Sequence, residues 1–276
     1  MPTVPVHRDL VIRAPGSGDA AVTPEDAGWR YIGFEKRHLD PEQRWTGRLA
    51  GSEGLFLVLG GRIAVTSNAG RWPSVGGRSD VFAGGTHALY LPLGSEFEVT
   101  AVSAADVALG LARAERQGTP RLIEPGGYAV ETRGAGVCTR MIRHIVPPGF
   151  DAHRLLAVEV YTPSGNWSSY PPHKHDTDAG PREAVLEEIY YHQQSDPRGF
   201  AFQRLYTPDG EVEAAAAVRH GDLMLIPRGY HGPVAQAPGY EGYYLNVLAG
   251  DRRTMANSDD PDHAWIRESW ARGEVV

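Results

Sequence analysis

Gly165-Asn-Trp-Ser-Ser-Tyr-Pro-Pro-His-Lys-His-Asp176 decides how this chain is read. In an extended segment alternate side chains share a face, so His173 and His175 point one way and Lys174 the other. Two imidazoles on one strand face can take neighbouring positions around one metal ion. Downstream, Leu186-Glu-Glu-Ile-Tyr-Tyr-His192 follows the same period. It puts Glu188, Tyr190 and His192 on one wholly polar face, and Glu187, Ile189 and Tyr191 on the other. Further on, Gly221-Asp-Leu-Met-Leu-Ile-Pro-Arg-Gly-Tyr-His231 delivers another imidazole at the end of a strand. His173, His175, His231 and Glu188 together can bind a divalent first-row metal and leave positions open for substrate oxygens. Glu187 is the rival carboxylate, in the opposite phase. A His-x-His pair alone is usually incidental; the glutamate and the later histidine, arriving in order, carry the metal reading. His7, His38, His87, His144, His153, His220 and His263 have no comparable setting and read as surface or capping residues.

Outward from this stretch the chain is a series of short apolar or alternating runs, cut by glycine, proline and aspartate. Residues 55–59, 62–66, 88–91, 97–102, 155–161, 189–192, 223–226 and 243–248 all read as strands. Helical patterns are few: residues 106–116 and the tail after Pro261. With 33 glycines and 21 prolines in 276 residues, the expectation is an all-β protein of sandwich or barrel type. Ala88-Leu-Tyr-Leu-Pro-Leu-Gly-Ser-Glu-Phe-Glu-Val99 echoes Leu223-Met-Leu-Ile-Pro-Arg-Gly-Tyr-His-Gly-Pro-Val234, about half the chain away. A duplication follows, with a linker at 116–127 and halves 1–120 and 121–276. At that offset His38, Asp40, Glu53 and Glu96 stand opposite His173, His175, Glu188 and His231. This pattern reads as a decayed site.

Composition narrows the function. The balance of 27 basic against 34 acidic residues, net −7, with no basic block, argues against a nucleic-acid partner. No apolar run approaches the ~18–20 residues of a membrane span. The first residues lack the charged-then-apolar layout of a signal peptide. Cys138 alone cannot form an internal disulfide. Together these features lead to an expectation of a cytoplasmic protein.

The order His-x-His, Glu, Gly-x5-Pro-x-Gly and His resembles the signature of the cupin superfamily, small β-barrels that hold a metal between strands. The longer string from Gly165 to Asp176, with Leu-Glu-Glu-Ile-Tyr-Tyr-His and Pro-Arg-Gly-Tyr-His, is similar to the 5-deoxy-glucuronate isomerase family of myo-inositol catabolism. Arg78-Ser-Asp-Val-Phe-Ala-Gly84 and Leu89-Tyr-Leu-Pro-Leu-Gly94 extend the similarity into the first half. The resemblance implies a bicupin fold in which 1–120 is a barrel without a working metal site and 121–276 carries the metal and the active site. It implies an aldose–ketose isomerisation of 5-deoxy-glucuronate to 5-dehydro-2-deoxy-gluconate, with one divalent transition metal (Zn, Mn or Fe) as cofactor. The partner is then a small deoxy-uronate, and edge-strand pairing makes a homo-oligomer an expectation. Two departures from the usual cupin pattern stand out. Asp176-Thr-Asp-Ala-Gly-Pro-Arg-Glu183 is inserted between His175 and Glu188, and a single residue separates Gly229 from His231.

The isomerisation requires a base within reach of two adjacent carbons. Tyr190, His192 and Glu187 are the candidates, with Glu159 and Tyr161 in reserve. The substrate carboxylate calls for a cation, with Arg228 preferred over Arg182. Trp167, Tyr170 and Tyr161 are candidate walls for the sugar. Competing readings are a 5-keto-4-deoxyuronate isomerase of pectin breakdown, a metal-dependent dioxygenase, and a sugar-binding cupin. The last would usually carry a DNA-binding helical segment, and no helix-turn-helix pattern occurs here.

Overall fold

Runs such as Leu55-Phe-Leu-Val-Leu59, apolar at every position, suit strands covered on both faces, and they sit at the centre of two large sheets. The computed structural model describes residues 10–14 and 19–274; His7 lies outside them. Six strands form the first large sheet, in the order Arg121–Ile123, His87–Leu91, Ser52–Gly60, Ala105–Arg113, Ile32–Leu39 and Ala20–Val22. Across it lies a four-stranded sheet of Arg44–Arg48, Glu96–Ala101, Arg62–Ser67 and Gly70–Gly76. Trp45, Phe56 and Phe97 fill the space between them, with ring centroids 4.8–5.6 Å apart.

The second half repeats the plan. Its large sheet runs Val11–Ile12, Leu223–Ile226, Leu186–Gln194, Gly242–Gly250, Leu156–Thr162, Arg140–Val146 and Ala129–Arg133. The facing sheet runs Glu213–Arg219, Phe200–Tyr206, Tyr230–Gln236, His173–Lys174 and Ser258–Asp259, with Trp167–Ser168 also paired to Tyr230–Gln236. The echoed turns are equivalent: each follows a strand paired to the long central one, and Gly94 and Gly229 both take left-handed φ, 82° and 90°. The two large sheets pack back to back. Leu55, Leu57, Tyr90 and Ala108 from one share a core with Ile189, Tyr191, Leu245 and Val247 from the other.

The halves also exchange edges. Arg121–Ile123 pairs with His87–Leu91 of the first sheet, although the 120/121 division assigns it to the second half. Val11–Ile12, from the first half, pairs with Leu223–Ile226. A reciprocal clasp accompanies the exchange. Glu53 accepts hydrogen bonds from the amides of His153, Arg154 and Leu155, and Glu187 accepts them from Arg30, Tyr31 and Ile32.

Residues 106–116, which read as a helix, instead contain the strand Ala105–Arg113. Its Val107 and Leu109 face the interior of the first half, and its Ala108 and Ala112 face the other large sheet. Burial on both sides removes the alternation that marks a strand, and the alanine–leucine content then imitates a helix. The tail does form one, Trp265–Ala271. No helix among the described residues is long and apolar enough to cross a membrane.

Candidate active site

The period-two reading of 186–192 holds in space. On Leu186–Gln194, Ile189 and Tyr191 join the core between the two large sheets, while Tyr190 joins the interior of the second half. Glu188 therefore projects inward, where His175 and His231 meet it. One atom from each of the three residues lies within 4.8 Å of the other two, and all three side chains are buried. His175 Nε2 is 2.8 Å from Glu188 Oε2, and His231 Nε2 is 3.1 Å from the same oxygen. His231 Nε2 is out of line for a hydrogen bond and has no other partner. His173, register partner of His231, adds a third imidazole, its ring centroid 4.4 Å from that of His231 and 6.4 Å from that of His175.

The surrounding hydrogen bonds set these side chains in one orientation. His175 Nδ1 donates to Leu186 O at 2.9 Å and His231 Nδ1 lies 3.3 Å from Gly229 O, while His173 has a backbone bond to Pro171. These contacts turn the Nε2 atoms of His175 and His231 toward the shared space. Asn246 Nδ2 holds the other carboxylate oxygen of Glu188 at 2.6 Å. Burial raises the Glu188 carboxyl, but the hydrogen bond with His175 and the closeness of both imidazoles outweigh it and hold the group at about 2. Burial and the neighbouring His231 charge push His173 well below the usual imidazole range. An anionic carboxylate among imidazoles that turn Nε2 toward it is the donor chemistry a divalent first-row metal requires.

A cavity of about 470 Å³ opens beside these groups. Besides His173, His175 and Glu188 it is lined by Tyr190, Tyr244, Asn246, Glu131, His144 and three arginines, Arg133, Arg140 and Arg267. Glu131 accepts from His144 Nε2 at 3.0 Å and takes a two-point pair from Arg133. The inserted segment 176–183 is tied down beside the site. Lys174 Nζ reaches Asp176 at 2.7 Å and Glu183 at 2.8 Å, and Asp176 accepts from the Gly229 amide at 2.8 Å.

Several expected site residues lie elsewhere. Glu187 faces away from Glu188 and is spent on the three amides of 30–32, which removes it both as ligand and as base. His192 is buried behind Tyr190, 5.9 Å ring to ring, and is hydrogen-bonded to Gln203 at 2.9 Å outside the cavity lining. Arg228 points outward from its turn, paired with Asp209 and Glu211, and Arg182 is exposed. Trp167 is 42% exposed and stacks edge-on against Tyr170; neither lines the cavity. Glu159 and Tyr161 face the other half of the molecule. Glu159 is buried against Arg78 and Tyr243, and Tyr161 lines a separate cavity with Phe82 and Arg143.

His38 and Glu96 in the first half are exposed, near Asp106 and Arg48, and Glu53 serves the clasp. Arg140, His144 and Glu131 also line the cavity, and the sequence pattern does not single them out. Arg140-Met-Ile-Arg-His144 has polar residues in both phases, so no face stands out until the strand is placed.

Comparison with known proteins supplies the relationship. The profile described as the KduI/IolB family matches residues 10–266. The chain is 45% identical over 249 residues to a 5-deoxy-glucuronate isomerase of Geobacillus kaustophilus (strain HTA426), covering 90% of each chain. It is 40% identical to the 5-deoxy-glucuronate isomerase of Bacillus subtilis (strain 168), covering 90% of this chain and 92% of that one. An IolB-like protein from Salmonella typhimurium LT2, known from a crystal structure, superimposes with a TM-score of 0.90 at 36% identity, covering 94% of this chain and 99% of that one. The oxalate decarboxylase of Lactobacillus farciminis, in its formate complex, superimposes with a TM-score of 0.65 at 11% identity, over 91% of this chain and 88% of that one; it shares the fold alone. The architecture is an all-β bicupin.

Proposed function

The chain belongs to the KduI/IolB family, and on that footing we propose that it is a 5-deoxy-glucuronate isomerase. In this reading it converts 5-deoxy-glucuronate to 5-dehydro-2-deoxy-gluconate in the cytoplasm, as part of inositol catabolism, with one divalent metal in the C-terminal barrel. The observation that carries the metal is the meeting of buried His175, Glu188 and His231 within 4.8 Å, with His175 and Glu188 on the wall of one cavity. His173 stands beside them as the fourth donor. A divalent cation held there supplies Lewis acidity toward the substrate oxygens.

The chain's own residues handle the protons. Moving a carbonyl to its neighbour shifts one hydrogen between adjacent carbons and builds enediolate charge on two oxygens. Burial and the Glu188 charge push Tyr190 well above the usual phenol range, so its Oη stays protonated and can donate to a substrate oxygen. Tyr190 lines the cavity and is 3.2 Å from Ser169 Oγ, which steadies it. The His144–Glu131 pair has the form of a positioned base, an imidazole oriented by a carboxylate, and lines the same cavity.

The test is turnover of 5-deoxy-glucuronate and of 5-keto-4-deoxyuronate by protein as purified, after chelation, and after readdition of Zn, Mn or Fe. The reading predicts preference for the first substrate, loss of activity on chelation and recovery with metal. Preference for the second substrate would assign the chain to pectin breakdown. Undiminished turnover after complete metal removal would refute the cofactor.

A further inference from the structure

We propose that Arg140 is the residue that binds the substrate's carboxylate, fixing the sugar acid by its charged end in the cavity beside the His/Glu cluster. The inference rests on the isomerase reading for the identity of the substrate and on the cavity for everything else. Three guanidinium groups line that cavity, and two are already committed. Arg133 forms a two-point pair with Glu131, 2.8 Å at each contact, and Arg267 forms one with Asp259 at 2.6 and 2.7 Å. Arg140 pairs with no carboxylate among the described residues, although it is only 4% exposed. It donates to Cys138 O at 3.0 Å and lies over the Trp270 ring, 5.4 Å from guanidinium carbon to centroid. Its surroundings make the lack of a counter-charge costly: burial pulls it down to about 10, and the charges of Arg133 and Arg267 act in the same direction.

A buried, unpaired cation next to two others is unfavourable unless an anion completes it. A planar guanidinium with free N–H groups is suited to a carboxylate gripped at two points. The strand Arg140–Val146 also places it well. Arg140, Ile142 and His144 share the face that lines the cavity, so the carboxylate grip and the His144–Glu131 pair stand on one wall. The ligand-bearing strand Leu186–Gln194 is three strand steps away in the same curved sheet. At about 4.8 Å per step, that gap is one a six-carbon acid and an extended arginine can bridge.

The experiment is calorimetric titration of the metal-containing protein, as wild type, Arg140→Gln and Arg140→Lys, with D-glucuronate and with D-glucose. These sugars differ in a carboxylate against a hydroxymethyl group. Wild type is expected to bind glucuronate more tightly than glucose. Arg140→Gln should weaken glucuronate by about 30-fold or more and leave glucose unchanged. Arg140→Lys, which keeps the charge but not the fork, should fall between and carries the test if the Gln variant fails to fold. Unchanged glucuronate binding in the Gln variant, equal losses for both sugars, or no discrimination by wild type would overturn the proposal. Turnover of 5-deoxy-glucuronate on the same samples is read separately. Charge-selective binding through Arg140 without turnover would sink the isomerase reading and keep the carboxylate site.

Discussion

Glu187 and Glu188 are neighbours in the chain and do opposite things, because a strand sends consecutive side chains to opposite faces. Glu188 enters the imidazole cluster, and Glu187 closes three backbone amides of the other half. Glu187→Ala is therefore expected to cost about 2 kcal/mol in urea unfolding while leaving bound metal unchanged, since it removes the acceptor for those amides. A fall in metal content would return it to the site. His192 makes a second residue-scale prediction. Burial lowers its imidazole to about 4, below the unfolded value near 6.5. Between those values the unfolded chain binds more protons, so the contribution is complete above about pH 6.5 and is lost as pH falls toward 4. Across that window wild type should lose roughly 3 kcal/mol more than His192→Gln, compared by urea unfolding at several pH values. Parallel pH profiles for the two would contradict the assignment.

Among elements, the turn Pro227-Arg228-Gly229 sets His231. Gly229 has φ +90°, a Cβ there would fall 2.5 Å from Tyr206 O, and its amide and carbonyl hold Asp176 and His231. Gly229→Ala should cost roughly 2 kcal/mol and reduce bound metal. Gly94→Ala, in the equivalent turn, has φ +82° but its nearest neighbour is 3.9 Å away, and should cost only about 1 kcal/mol with metal unchanged. Thermal melts with metal analysis decide this, and equal effects at both glycines would contradict it. This scale also shows what could be read beforehand. Leu186-Glu-Glu-Ile-Tyr-Tyr-His192 declared its inward face because polar and apolar side chains alternate around Ile189. The strand Ala105–Arg113 hid as a helix because it is covered on both sides. Arg228 looked like a cavity cation from its neighbours in sequence, yet the turn aims it outward. Of the three arginines that do line the cavity, Arg140 sits on a strand whose two phases are both polar.

Across the whole molecule, two copies of one plan have diverged in what fills them. Trp45, Phe56 and Phe97 pack the first interior, whereas His175, Glu188, Tyr190 and His231 line the second. Exchanged edge strands and paired glutamate clasps bind the halves into one unit. Glu53 is the more deeply buried of the two clasps and also accepts from Tyr90 at 2.6 Å. Glu53→Ala should cost about 4 kcal/mol, more than Glu187→Ala, because it leaves buried donors without an acceptor. An equal or smaller loss in urea unfolding would show that the clasp is not what joins the halves. The central claim is that the second barrel alone carries the reaction through a metal on His175, Glu188 and His231. Elemental analysis of wild type, His231→Ala and Glu188→Gln, with 5-deoxy-glucuronate turnover on the same samples, tests it most directly. The account predicts about one divalent ion per chain in wild type, with ion and turnover lost together in both variants. Variants that keep the ion, or keep turnover without it, would contradict the account.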